Sequence, residues 1–236
     1  MNPAAMVQNF QTMGKYGLYF QRGVLYTVLL AVFAVALGFV LALILALMRM
    51  SKNRLVKGVA GAYVEFVRCT PMLVQLYFMF YVVFAQWITV PKFTIFGFME
   101  STRFIPGVVT IALNSAAYVA EIIRAGIQNL DYGQTEAARS LGMSQGQNMR
   151  YIVLPQAIKN ILPAIANELV VVIKESSVCS VLGMQEIMFN AKLVQTATFM
   201  PMEPLVIAAA LYFLLTFPAS KGIAYLERRM SRGDVR

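Results

Sequence analysis

Two stretches of the chain run uncharged for longer than a soluble core needs: residues 24–48 and 69–88 contain no Asp, Glu, Lys or Arg. A helix crosses the hydrocarbon layer with about 20 such residues, so both predict membrane spans. Further apolar runs at 104–124, 161–182 and 204–226 bring the expected number of spans to five. The first span carries Ala34, Gly38, Ala42 and Ala46 at intervals of four, a face of small residues against which a neighbouring backbone can pack closely. The second element, 58–86, is interrupted by Glu65, Arg68 and Thr70-Pro71. Pro71 has no N–H to donate and disfavours helix just before it. The fourth run is a span only if Glu168, Lys174 and Glu175 are tolerated inside it. Between spans, 87–103 holds Pro91 and Phe96-Gly97-Phe98 and reads as an irregular or interfacial loop. Residues 128–160 form the longest polar stretch and read as amphipathic helical pieces outside the bilayer.

Composition agrees with this pattern. Of 236 residues, 59% are hydrophobic and 13% charged, against about a quarter charged in a soluble domain. The formal net charge of +9 does not point to nucleic acid, because the basic residues flank the apolar runs and form no separate basic domain. One side of a five-span arrangement receives Arg49, Lys52, Arg54, Lys57, Arg124, Arg139, Arg150, Lys159, Lys221, Arg228, Arg229, Arg232 and Arg236. The other receives only Lys15, Arg22, Lys92, Arg103 and Lys192. The richer side is expected to be cytoplasmic, which puts the N-terminus outside and the C-terminus inside. Arg68 and Lys174 are left within the membrane. The first apolar run is too long for a cleaved leader. The chain has no His, and Cys69 and Cys179 lack metal-ligand spacing, so no metal site is expected.

The segment Glu136-Ala137-Ala138-Arg139-Ser140-Leu141-Gly142 is followed, after nine residues, by Ile152-Val153-Leu154-Pro155. This resembles the EAA loop of ATP-binding cassette (ABC) importer permeases, whose pattern is E-A-A, three residues, G, nine residues, I-x-L-P. The resemblance extends over residues 22–226. Glu65-Phe66-Val67-Arg68-Cys69-Thr70-Pro71, running on to Gln75, is similar to the E-x-x-R-G-T-P-x-x-V-Q stretch of the polar amino acid uptake branch, with Cys69 where that branch usually has Gly. Asn114 to Glu121, Gly133-Gln134 and Leu162 to Leu169 are similar to the same branch.

The resemblance implies an all-α integral membrane protein with five transmembrane helices of the type I importer permease fold. It implies a single domain over 1–236, with a core at 22–226 and a cytoplasmic loop at 128–160 whose coupling helix docks on an ATPase. Glu136, Ala137, Ala138, Ser140, Leu141 and Gly142 are the expected ATPase-coupling residues. Glu136-Ala137-Ala138 is read as a helix-forming start, Gly142 as a break and Pro155 as a stiff exit.

Ionisable groups in the hydrocarbon layer are costly unless they face a cavity or partner, so those in the spans are functional candidates. Arg68 and Gln75 share a helical face, as do Asn114, Tyr118 and Glu121, and as do Glu168 and Glu175. An amino acid zwitterion needs cationic and hydrogen-bonding groups for its carboxylate, which Arg68, Thr70 and Gln75 supply, and an anion for its ammonium, which Glu168 supplies. Asn114 and Tyr118 are neutral walls, and the resemblance implies binding near the bilayer midplane. The alternative is that Arg68 pairs with Glu65 or Glu168 only to hold helices together. Glu65, Glu121 and Arg124 lie near the cytoplasmic boundary and read as structural.

No phosphate loop is present, so ATP and Mg are expected to be used by a separate ATPase subunit, with no cofactor or catalytic residue in this chain. The expected partners are those ATPase subunits, a second permease subunit (identical or homologous), an extracytoplasmic amino-acid-binding protein and membrane lipid, in a bacterial inner membrane. The competing function is an ion-gradient-driven secondary amino acid transporter with Glu168 and Glu121 relaying protons, but no internal repeat supports it. A membrane enzyme ranks lower still, for want of a nucleophile–base pair or metal cluster.

Overall fold

The computed structural model describes residues 3–231; Arg232 and Arg236 of the basic tail lie outside them. The chain opens with α1 (Pro3–Met13) and passes through a 3-10 turn into α2 (Gly17–Arg49). Ala34, Ala42 and Ala46 are buried along one line of α2 together with Gly38. Their partner is α5 (Ser101–Gln128), whose Ala112, Ala116 and Ala120 are equally buried. A Cβ placed on Gly38 would stand 3.0 Å from the Ala112 carbonyl oxygen, so the backbones approach closely enough that a larger residue would press α5 outward.

The interrupted second element is a sharp bend. The Asn53 side chain caps α3 (Arg54–Cys69) by accepting from the Leu55 N–H at 2.9 Å. The helix stops at Thr70, which is extended before Pro71. It resumes as α4 (Met72–Phe78) and widens into π-type turns through Trp87, at 110° to α3. The loop that follows is more regular than its composition suggests. Strands β1 (Thr94–Ile95) and β2 (Met99–Glu100) pair antiparallel, Ile95 opposite Met99, across a three-residue loop, Phe96-Gly97-Phe98, whose first two residues are at positive φ.

Beyond α5 come α6 (Tyr132–Ser140) and α7 (Gln145–Asn148), which continues through π-type turns into α8 (Leu154–Glu175). A 3-10 segment, Ser176–Leu182, leads to the short helix α9 (Ile187–Thr198) and then to α10 (Glu203–Ser231). The apolar periodicity at the sequence level does not separate α9 from its surroundings. It is fastened instead by polar groups: the Glu186 carboxylate accepts from the N–H groups of Met188 and Phe189 and from the Tyr212 hydroxyl, while the Ile187 N–H donates to Thr27 at 3.3 Å.

Gln8–Arg49, Ser101–Gln128 and Glu203–Met230 are long and apolar enough to cross a membrane, and the bent pair α3–α4 makes a fourth such unit if counted as one span. The fourth expected span, 161–182, falls on α8, which starts earlier and ends at Glu175 and is not among the described helices that meet this length and apolarity. The core is formed where α2, α5 and α8 meet, around Tyr26, Leu30, Ile111 and Val172, all fully buried.

Candidate functional site

Two places gather the chemistry: the polar loop between α5 and α8, and the polar residues inside the bundle. In the loop, the Asp131 carboxylate accepts from the Gly133 N–H at 2.9 Å and starts α6. The helix therefore begins before Glu136, and Glu136-Ala137-Ala138 forms its middle. The end of α6 is fixed by a left-handed residue. Gly142 has φ +83, its N–H donates to the Arg139 carbonyl, and the Met143 N–H donates to the Ala138 carbonyl. This pair of reversed bonds around a C′ glycine satisfies carbonyls that the helix end would leave open. Two residues later Ser144 and Gln147 cap α7 reciprocally, each side chain accepting from the other's backbone N–H. Asn148 ties the two helices by donating to the Thr135 hydroxyl at 3.3 Å.

Glu136, Ala137, Ser140, Leu141 and Gly142 face outward, with Leu141 84% exposed. Ala138 is buried and turns toward the body, so of the six expected coupling residues it can act only by seating α6. Pro155 is no break. It enters at the start of α8, and the wider turns of Met149–Val153 accommodate its missing N–H, so the chain is helical from α7 to Glu175.

Inside the bundle, the α3–α4 bend and α5 share a chain of hydrogen bonds. Gln75 donates to the Thr70 hydroxyl and the Val67 carbonyl, both at 2.8 Å, and accepts from the Asn114 amide at 3.0 Å. Gln75 thus satisfies carbonyls that Pro71 leaves open and joins the bend to α5. Arg68 leans on Tyr118, one turn from Asn114, its guanidinium carbon 5.7 Å from the ring centre.

Glu168 is only 8% exposed on α8, with Ser115 of α5 as a polar neighbour. The Ser115 hydroxyl has no partner of hydrogen-bonding geometry. Among the described residues, neither Arg68 nor Glu168 belongs to an ion pair. Glu65 and Glu121 are instead held by Arg49, at 3.9 and 3.4 Å, and Glu121 also by Arg124. The boundary acids are therefore held by arginines, while exposed Arg68 and buried Glu168 form no salt bridge among the described residues.

Five of the expected substrate residues thus gather in two neighbouring contacts, while Glu168 lies against the next residue of α5 and makes no hydrogen bond to the Gln75 chain. The six do not enclose one pocket within the single chain. Thr70 and Gln75 line a cleft of about 310 Å³ whose remaining wall, including Tyr63, Phe66, Val74 and Phe78, is largely apolar. Arg68, Asn114, Tyr118 and Glu168 do not line it.

A family model described as the binding-protein-dependent transport system inner membrane component matches residues 34–232. Among curated proteins, the chain is 38% identical to a putative glutamine transport system permease of Rickettsia typhi, over 90% of this chain and 93% of that one. It is 40% identical to a nopaline transport system permease of Agrobacterium fabrum, over 85% and 83%. The crystal structure of an amino acid ABC transporter with histidines superposes with a TM-score of 0.85 at 44% identity, covering 93% of this chain and 98% of that one. An inward-facing methionine ABC transporter, at 16% identity and a TM-score of 0.63, shares the fold.

Proposed function

Because the chain belongs to the family of binding-protein-dependent transport system inner membrane components, we propose that it holds a polar amino acid between the α3–α4 bend, α5 and α8, and that α6 couples its release to ATP hydrolysis on a partner subunit. The chain is a permease subunit of an amino acid ABC importer of the bacterial inner membrane. The relatives do not support the secondary-transporter reading. Family membership implies ATPase and binding-protein partners.

The observation that carries the binding reading is the pair of membrane-level charges without a salt bridge. Among the described residues neither Arg68, on the exposed face of α3, nor Glu168, buried on α8, forms one, and such groups are costly at membrane depth unless a ligand, an aqueous cavity or a partner meets them. A zwitterion meets both: Arg68 with the Gln75–Thr70 chain takes its carboxylate, and Glu168 its ammonium. Since the six residues enclose no common pocket in one chain, a second permease subunit closes the site. Relatives described as glutamine and arginine transport system permeases favour a polar or cationic side chain.

Glu168→Ala tests this assignment. The complex is expected to assemble with its ATPase, and ATP-driven uptake to be lost. Uptake at normal rate and affinity would remove Glu168 from the site. Retention of uptake after ATP removal would overturn the importer mechanism itself.

A further inference from the structure

The exposed surface of α8 is divided along its length. Asn160, Asn167 and Lys174 are seven residues apart and all exposed, so they form one line. At about 1.5 Å per residue it runs about 21 Å, most of a hydrocarbon layer about 30 Å thick. Leu154, Ile158 and Leu162, 41–50% exposed, lie roughly on the opposite side of the helix. The apolar line suits lipid. The polar line does not, because neither an amide nor an ammonium group is stable against acyl chains.

At the loop end the polar line opens into a cleft of about 490 Å³ between α8 and the last turns of α10. Its lining is mixed: Asn160, Asn167, Ser220, Lys159 and Glu227 are polar or charged, and the other half is apolar. The amides and the hydroxyl suit a zwitterion that must be solvated in passing and not held.

We infer that the Asn160–Asn167–Lys174 line and the α8–α10 cleft form the wetted wall along which a zwitterionic amino acid leaves the membrane toward the loop end, an inference that rests on the permease reading above. The occupant is water and amino acid; a dry contact with a second copy, or with lipid, is the competing outcome.

The test uses the complex assembled with its ATPase and binding protein in proteoliposomes. Cys69, the exposed native thiol, is changed to Ser, and Asn160→Cys, Asn167→Cys and the control Leu162→Cys are introduced singly. A charged methanethiosulfonate is the labelling probe, and ATP-driven uptake of a radiolabelled amino acid mixture is the transport readout. Asn160→Cys and Asn167→Cys are expected to react at least about tenfold faster than Leu162→Cys and to lose uptake on labelling, having transported before it. Reaction of Asn167→Cys no faster than Leu162→Cys would overturn the wetted wall in favour of a dry interface. Full uptake after complete labelling would remove it from the path. Either result, with uptake intact in the unlabelled complex, leaves the permease reading standing; absence of ATP-driven uptake in the unmodified complex would sink that reading, and this inference with it.

Discussion

Gly142 offers the sharpest test of the proposed coupling role of α6. Its φ of +83 is a backbone conformation that L side chains rarely adopt, yet a Cβ added there would meet nothing within 4 Å. The cost of a substitution is therefore conformational and not steric. For a residue with a Cβ, the left-handed region costs roughly 1–2 kcal/mol, and Asn bears less of this because its short polar side chain tolerates it. If the chain leaves this conformation to avoid the cost, the bonds from Gly142 to Arg139 and from Met143 to Ala138 are lost, and the exposed Leu141 tip turns away from its partner. A shift of 1–2 kcal/mol changes a two-state population by about 5–30-fold. Gly142→Val should lower uptake per ATP hydrolysed by about that factor while the complex still assembles, and Gly142→Asn should fall between it and the native chain. The assay is paired uptake and ATPase measurement in proteoliposomes containing the partner subunits. Native coupling in Gly142→Val, or equal damage from Asn and Val, would refute the argument that the left-handed turn orients the docking tip.

Two other substitutions separate structure from transport. Gln75→Leu removes the acceptor for the Asn114 amide and leaves a buried donor unmet, at a cost of about 1–3 kcal/mol; thermal unfolding in detergent should fall and uptake should be lost, whereas Asn114→Leu in the same chain should restore part of the stability but no uptake. Glu186→Ala removes the cap of α9, about 1 kcal/mol, and strands the Tyr212 hydroxyl, about 1–3 kcal/mol more; protease accessibility of the 183–203 segment should rise, and unchanged accessibility would mean that apolar packing alone seats α9.

What the sequence made legible follows from which forces act locally. The small-residue line of the first span could be read because its spacing is a property of one helix, and the close approach to Ala112 is its direct consequence. The bend at Thr70-Pro71 was equally visible, since a missing N–H acts on its own neighbours. The 110° angle was not, because it depends on Gln75 folding back onto Val67 and Thr70, a contact no periodicity records. Helix α9 stayed hidden for the same reason: Glu186, Tyr212 and Thr27 come from three distant parts of the chain. The loop shows the limit most clearly. Its spacing identifies the family pattern, yet the capping Asp131, not Glu136, sets the helix start, and Pro155 stands in the first turn of α8 with π-type turns just before it, so the chain leaves the loop without a break in the helix. The intramembrane charges were found by their cost, but their surroundings were not. Arg49, counted at first only as a flank, neutralises Glu65 and Glu121, and so leaves Arg68 and Glu168 without ion-pair partners among the described residues. That distribution of counter-charges, which one chain's sequence cannot display, is what supports the proposed zwitterion site: the boundary acids are paired, while exposed Arg68 and buried Glu168 have no salt bridge of their own, so a bridging group from outside the chain would meet both.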